Sequence, residues 1–143
     1  MANKLVKAVR RYFDMDKSVR KVAEDVALTA ELILLIRMMF ADGRLAKREL
    51  QNFKRICQTA FDIPKEDVAD VIAFLKDTGY ETTAEEAAQM FKELEPERQR
   101  ALLVHMLSIA KSDDELHTDE IDLLRRTAKV LGMNAEDLAG LQG

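Results

Sequence analysis

Tryptophan is absent from this chain, cysteine occurs once (Cys57), and 143 residues contain only five glycines and two prolines. A lone cysteine excludes an internal disulfide framework and suits a reducing compartment, so the expected location is cytoplasmic. Scarce glycine and proline, with 48% apolar and 34% charged residues, exclude collagen-like and disordered classes. Long hydrophobic runs are missing too. The longest, Ala30 to Phe40, is interrupted by Glu31 and Arg37 and is too short to span a bilayer. The first residues lack an uninterrupted apolar core and a small-residue cleavage site, which marks mature protein and not a signal peptide. There is no Gly-rich phosphate loop, no Ser/His/Asp order and no cysteine cluster, so the expectation is a non-enzyme. A hydrolase working through paired carboxylates stands as a distant third choice, because no polar constellation around such a pair is visible.

What is present favours helices. Ala, Leu, Lys, Arg and Glu dominate, apolar residues recur at helical spacing throughout, and no stretch alternates at period two. The length fits one domain able to bury roughly 68–70% of its unfolded surface. Net charge is −4 but uneven: residues 1–21 carry +5 and the remainder −9. An acidic body disfavours nucleic acid as the main partner, and none is expected.

The periodicity predicts a first helix over 3–13, a long helix over 19–40 capped by Ser18, and a third over 46–60. Pro64 is expected to open a fourth helix that Gly79 ends. Thr83-Ala84-Glu85-Glu86 has the pattern of a capping box, opening a helix with Ala87, Met90, Phe91 and Leu94 inward. Further helices follow over 97–111 and 118–131, with a short last one through Leu138.

The strongest signal is a repeat. Ala41-Asp42-Gly43-Arg44-Leu45-Ala46-Lys47-Arg48-Glu49 returns as Ser112-Asp113-Asp114-Glu115-Leu116-His117-Thr118-Asp119-Glu120. At an offset of 71, Glu49 matches Glu120, Phe53 matches Leu124 and Cys57 matches Ala128. A one-residue deletion then places Phe61-Asp62-Ile63 on Leu131-Gly132-Met133. The expected fold is therefore all-α: a single-domain bundle of about seven or eight helices, built from two pseudo-symmetric helical hairpins with acidic turns. Residues 1–17 form a basic amphipathic helix and 18–143 the helical domain, with repeat units near 30–78 and 97–142.

An EF-hand register fails, since Met38 and Phe40 (or Ile109 and Lys111) would fall on oxygen-ligand positions. Two readings stay open. In one, the turns merely stop and start helices, with Glu49 and Glu120 favoured in a first turn by the helix dipole. In the other, the turns meet, and Asp42, Glu49, Asp113, Asp114, Glu115 and Glu120 form a cleft for a hard divalent cation, Ca²⁺ or Mg²⁺. Lys47 and Arg48 neutralise the first turn, so the second is the stronger candidate.

At these turns the chain resembles the TerB-like family, the tellurite-resistance-associated domain, and the related N-terminal domain of the DjlA-type membrane co-chaperone. The likeness rests on the two copies quoted above and covers roughly residues 20–140. Asp114 stands where the family usually has Gly, and Ala46 and Lys47 where it has small polar or acidic residues. The resemblance implies a non-enzymatic stress-response or accessory protein whose acidic clusters are suspected cation sites and whose partners often sit at a membrane. A protein partner is expected, and self-association is left open.

The alternative function is a peripheral membrane or protein–protein adaptor without metal. Lys4, Lys7, Arg10 and Arg11 beside Leu5, Val9, Tyr12 and Phe13 would supply its surface at the inner face of the membrane. Cys57 is expected to be a core residue, His105 a core or interface one, and His117 a capping or solvent-facing one beside the second turn. The methionines Met38, Met39, Met90 and Met106 are expected to be packing residues, not a soft-metal site.

Overall fold

Residues 26–39 are apolar around nearly the whole helical circumference, and a helix of that kind must be enclosed by others. The computed structural model, which describes residue 6 and residues 17–41, 46–78, 82–112, 117–134 and 137, places it so. The helices are α1 (Lys17–Glu24), α2 (Val26–Met39), α3 (Lys47–Ala60), α4 (Val68–Thr78), α5 (Ala84–Gln89), α6 (Pro96–Lys111) and α7 (Thr118–Val130). A 3₁₀ turn, Lys65–Asp67, precedes α4, and no strand occurs among the described residues. Helix α2 packs against α1, α3, α4, α5 and α6, while α7 closes the bundle against α5 and α6. Leu32, Leu34, Leu35, Met38, Phe53, Phe91, Leu102, Leu103 and Met106 have no exposed surface. Truncating any one of these leucines to Ala would cost about 2–5 kcal/mol.

The pseudo-repeat is visible in backbone detail. Helix α3 ends with Asp62 at φ +56° and a bond from Ile63 N–H to Cys57 O of 2.9 Å. Helix α7 ends with Gly132 at φ +75° and a bond from Met133 N–H to Ala128 O of 2.9 Å. The first spans six residues and the second five, so the deletion inferred from sequence is absorbed at this left-handed helix stop.

Several expectations require correction. The long helix over 19–40 is two helices, because the Asp25 side chain accepts the Leu28 N–H at 3.0 Å and caps α2 separately. Ser18 is not a cap: it lies within α1, is 6% exposed, and donates to Asp67 at 2.8 Å. Pro64 precedes the 3₁₀ turn with ψ 145°, and does not begin an α-helix. Helix α5 ends at Gln89, so Met90 falls in a turn and is 44% exposed, outside the core. Met38, Met39 and Met106 are buried as expected. The helix expected over 3–13 apart from Val6, Gly43, Gly79 and the last helix apart from Asp137 lie outside the described residues.

Candidate functional site

Helices α3 and α7 begin alike. Their N-cap residues, Ala46 and His117, are extended (ψ 137° and 148°), and neither side chain caps its helix. The capping box is thus incomplete in both copies. The glutamates of the first turns, Glu49 and Glu120, are each 1% exposed. A carboxylate at a helix N-terminus is favoured by the dipole, but burying one costs several kcal/mol unless charge or hydrogen bonds compensate. Two buried glutamates at equivalent positions are the main feature of this end of the bundle. His117 Nε2 stands 3.9 Å from Glu120 Oε1.

The residues flanking one turn touch those flanking the other. On α3, Asn52 donates to Ser112 Oγ at 2.8 Å, and Ser112 directly precedes Asp113. On the opposite side, Ala41, which directly precedes Asp42, shares a cleft of about 560 Å³ with Asp119, Asp122 and Leu123 of α7. Thus α3 reaches the end of α6 by a hydrogen bond, while α7 and the end of α2 border one cleft. Arg37 and Arg126 also line this cleft. Arg126 pairs with Glu85 at 2.7 Å and Asp122 at 3.1 Å, and Arg37 donates to Thr82 O. The hydrogen bond from its own backbone N–H, then Arg126, holds Glu85 below the usual carboxylate range.

Of the six candidate ligands, Glu49 and Glu120 are placed; Asp42, Asp113, Asp114 and Glu115 lie outside the described residues. Among the described residues no group of three or more His, Cys, Asp or Glu is arranged to hold a metal ion. Lys4, Lys7, Arg10 and Arg11 also lie outside the described residues. No described helix is long and apolar enough to cross a membrane.

A polar cluster around one buried carboxylate had no signature at sequence level. Glu31, on α2 and 1% exposed, sits 2.8 Å from His105 Nδ1 and 3.5 Å from Arg98 Nε, both on α6. His105 also meets the Phe61 ring edge-on at 5.7 Å. The only hint was Glu31 interrupting an apolar run; its partners are 67 and 74 positions away in the chain. Burial first, and then the charge of Glu31, push the Cys57 thiol up to about 12. A thiol that burial keeps protonated is a poor nucleophile near neutral pH.

The family model described as "Tellurite resistance protein TerB" matches residues 25–142. No curated protein and no solved structure gave a match.

Proposed function

This chain belongs to the TerB family, and on that footing we propose that its two acidic turns together bind one divalent cation, Ca²⁺ or Mg²⁺, in a non-enzymatic accessory protein. The observation that carries this reading is the pair Glu49 and Glu120, each 1% exposed at equivalent first-turn positions. Hard oxygen donors of this kind suit a Ca²⁺ or Mg²⁺ ion, and Asp42, Asp113, Asp114 and Glu115 would complete the set. The hydrogen bond of Asn52 to Ser112, and the cleft that Ala41 shares with the start of α7, support a shared site over two separate ones. The ion would join the two hairpins, and so rigidify one end of the bundle as a docking face for a protein partner. Equilibrium dialysis with Mn²⁺ as the probe tests this. One ion per chain, lost in either Glu49→Gln or Glu120→Gln, fits a shared site; two ions lost independently, or none, contradict it.

A second reading, the peripheral adaptor, draws support from Val6, which is helical and 49% exposed, so one position of the basic arm's apolar side is open to a partner or a lipid. Cosedimentation of the intact chain with phosphatidylserine vesicles, abolished on removing residues 1–17, is its expected outcome. No binding by the intact chain eliminates it.

A further inference from the structure

The repeat builds the same groove twice and fills it only once. At the offset of 71, Arg37, Phe40, Ala41 and Leu123, which line the cleft of about 560 Å³, fall on Ser108, Lys111, Ser112 and Asn52. These four line a smaller groove of about 340 Å³. There Asn52 Nδ2 is 3.0 Å from Ser108 O, 2.9 Å from Ser108 Oγ and 2.8 Å from Ser112 Oγ, so hydrogen bonds close the groove from within. Arg55 stays on its own helix and donates to Asn52 Oδ1 at 2.6 Å. In the larger cleft, Leu123 and Ala41 have side chains that can make no such bonds. Arg126, the counterpart of Arg55, reaches instead to Glu85 of α5 at 2.7 Å. Helix α5 lies between the two repeat units and has no counterpart, so it walls this copy alone. One copy is sealed and the other is open.

The open copy has an apolar floor and an acidic rim. Phe40, Ala41 and Leu123 supply the floor, and Glu85, Asp119 and Asp122 set three carboxylates against Arg37 and Arg126. Both arginines are engaged: Arg37 donates to Thr82 O, and Arg126 pairs with Glu85 and Asp122. One negative charge is left over, and Asp119 is exposed with no ion pair to a described residue. Apolar surface under surplus negative charge fits a group with an aliphatic stem and a cationic tip. The chain itself shows that chemistry on one floor residue, because Lys76 Nζ lies 4.7 Å from the centroid of the Phe40 ring. An anion would meet the surplus carboxylate while both guanidinium groups are already in use. The volume is within the range of small-ligand sites, roughly 300–1,000 Å³.

We propose that the open copy binds a primary alkylammonium group, with the ammonium at Asp119 and Asp122 and the stem on Phe40 and Leu123. Two sources carry that group, a free polyamine and a lysine side chain of a partner protein. The site does not depend on the divalent-cation reading above. The test is ¹H–¹⁵N NMR titration of the full chain with spermidine, with a capped Gly-Lys-Gly peptide, and with the same peptide acetylated on its lysine. Saturating shifts over 37–41, 82–85 and 119–126 are expected with spermidine or the lysine peptide, and the tighter of the two identifies the source. The acetylated peptide, which has lost the charge, and inorganic phosphate should give none. Asp119→Asn, which alters one exposed side chain, should weaken binding about tenfold, the worth of one hydrogen bond to a charged group. Ala41→Ser with Leu123→Asn, the pair that seals the other copy, should abolish saturation; if that variant does not fold, Asp119→Asn decides alone. Glu49→Gln should bind as wild type does. No shift with either amine, equal shifts with the acetylated peptide, saturation by phosphate, or unchanged affinity in Asp119→Asn overturns the proposal. Loss of binding in Glu49→Gln would assign the effect to the acidic turns and overturn it equally.

Discussion

Removing His105 should damage this protein far more than removing the buried carboxylate it faces. Glu31 is 1% exposed, and among the described residues it faces His105 Nδ1 at 2.8 Å and Arg98 Nε at 3.5 Å. Arg98 is 46% exposed, so water screens it and Arg98→Ala should cost only about 0–1 kcal/mol. In His105→Leu the carboxylate keeps only that screened partner inside the core. Stranding a buried charge in this way costs about 3–5 kcal/mol. In Glu31→Leu the desolvated carboxylate disappears, and the remaining histidine, 22% exposed, can reach water. That change should cost about 2 kcal/mol or less, since apolar replacement of buried ions is often near neutral. For 143 residues the unfolding entropy gives about 3 °C per kcal/mol, so His105→Leu should lower Tm by roughly 10–15 °C. Urea unfolding followed by far-UV circular dichroism, on both single variants and the double variant, measures all three values. The double variant should be more stable than His105→Leu alone. A His105→Leu loss no larger than that of Glu31→Leu, or strictly additive losses, would refute the assignment of a charge buried for its histidine partner.

Two further outcomes follow from the backbone and the core. Asp62 holds φ +56° where its counterpart is Gly132 at φ +75°, so Asp62→Gly should be neutral to stabilising by up to about 1 kcal/mol. Gly132→Ala should destabilise by about 1 kcal/mol through backbone strain alone, because a Cβ there meets nothing within 4 Å; chemical denaturation of the pair decides. The Cys57 thiol, pushed up to about 12, should resist Ellman's reagent in the native state and react only on unfolding. Its folded-state value lies above the unfolded one, so the stability it contributes is complete below about pH 8.5 and is lost as pH rises toward 12, by at most about 1.4 kcal/mol per pH unit. A Cys57→Ala variant should lose that alkaline component, and an identical alkaline slope in both proteins would count against it.

Sequence periodicity reports what is local, and local features carried over well. The offset of 71 paired Glu49 with Glu120 and Cys57 with Ala128, and each pair shares its burial to within about one per cent. The deletion near 61–63 reappears as the difference between a six-residue and a five-residue helix stop. The break at Asp25 is invisible to periodicity because an aspartate cap inside an apolar-periodic stretch looks like one more polar face position. Met90 was misplaced because α5 stops after six residues, earlier than its capping signal implies. Glu31 with His105, and Asn52 with Ser112, join residues 74 and 60 apart. Such pairs leave no trace in helical spacing, and only the packing of α6 across α2 and α3 brings them together.

The central claim, a divalent cation shared by the two acidic turns, is tested most directly by thermal melting with and without millimolar Ca²⁺, Mg²⁺ or Mn²⁺. Wild type, Glu49→Gln and Glu120→Gln should be compared. Ligand at about 100 times its Kd adds about 2.7 kcal/mol, which should raise Tm by roughly 5–10 °C in wild type and by far less in either variant. No shift with any of the three ions, or a shift that survives both substitutions, would contradict the account.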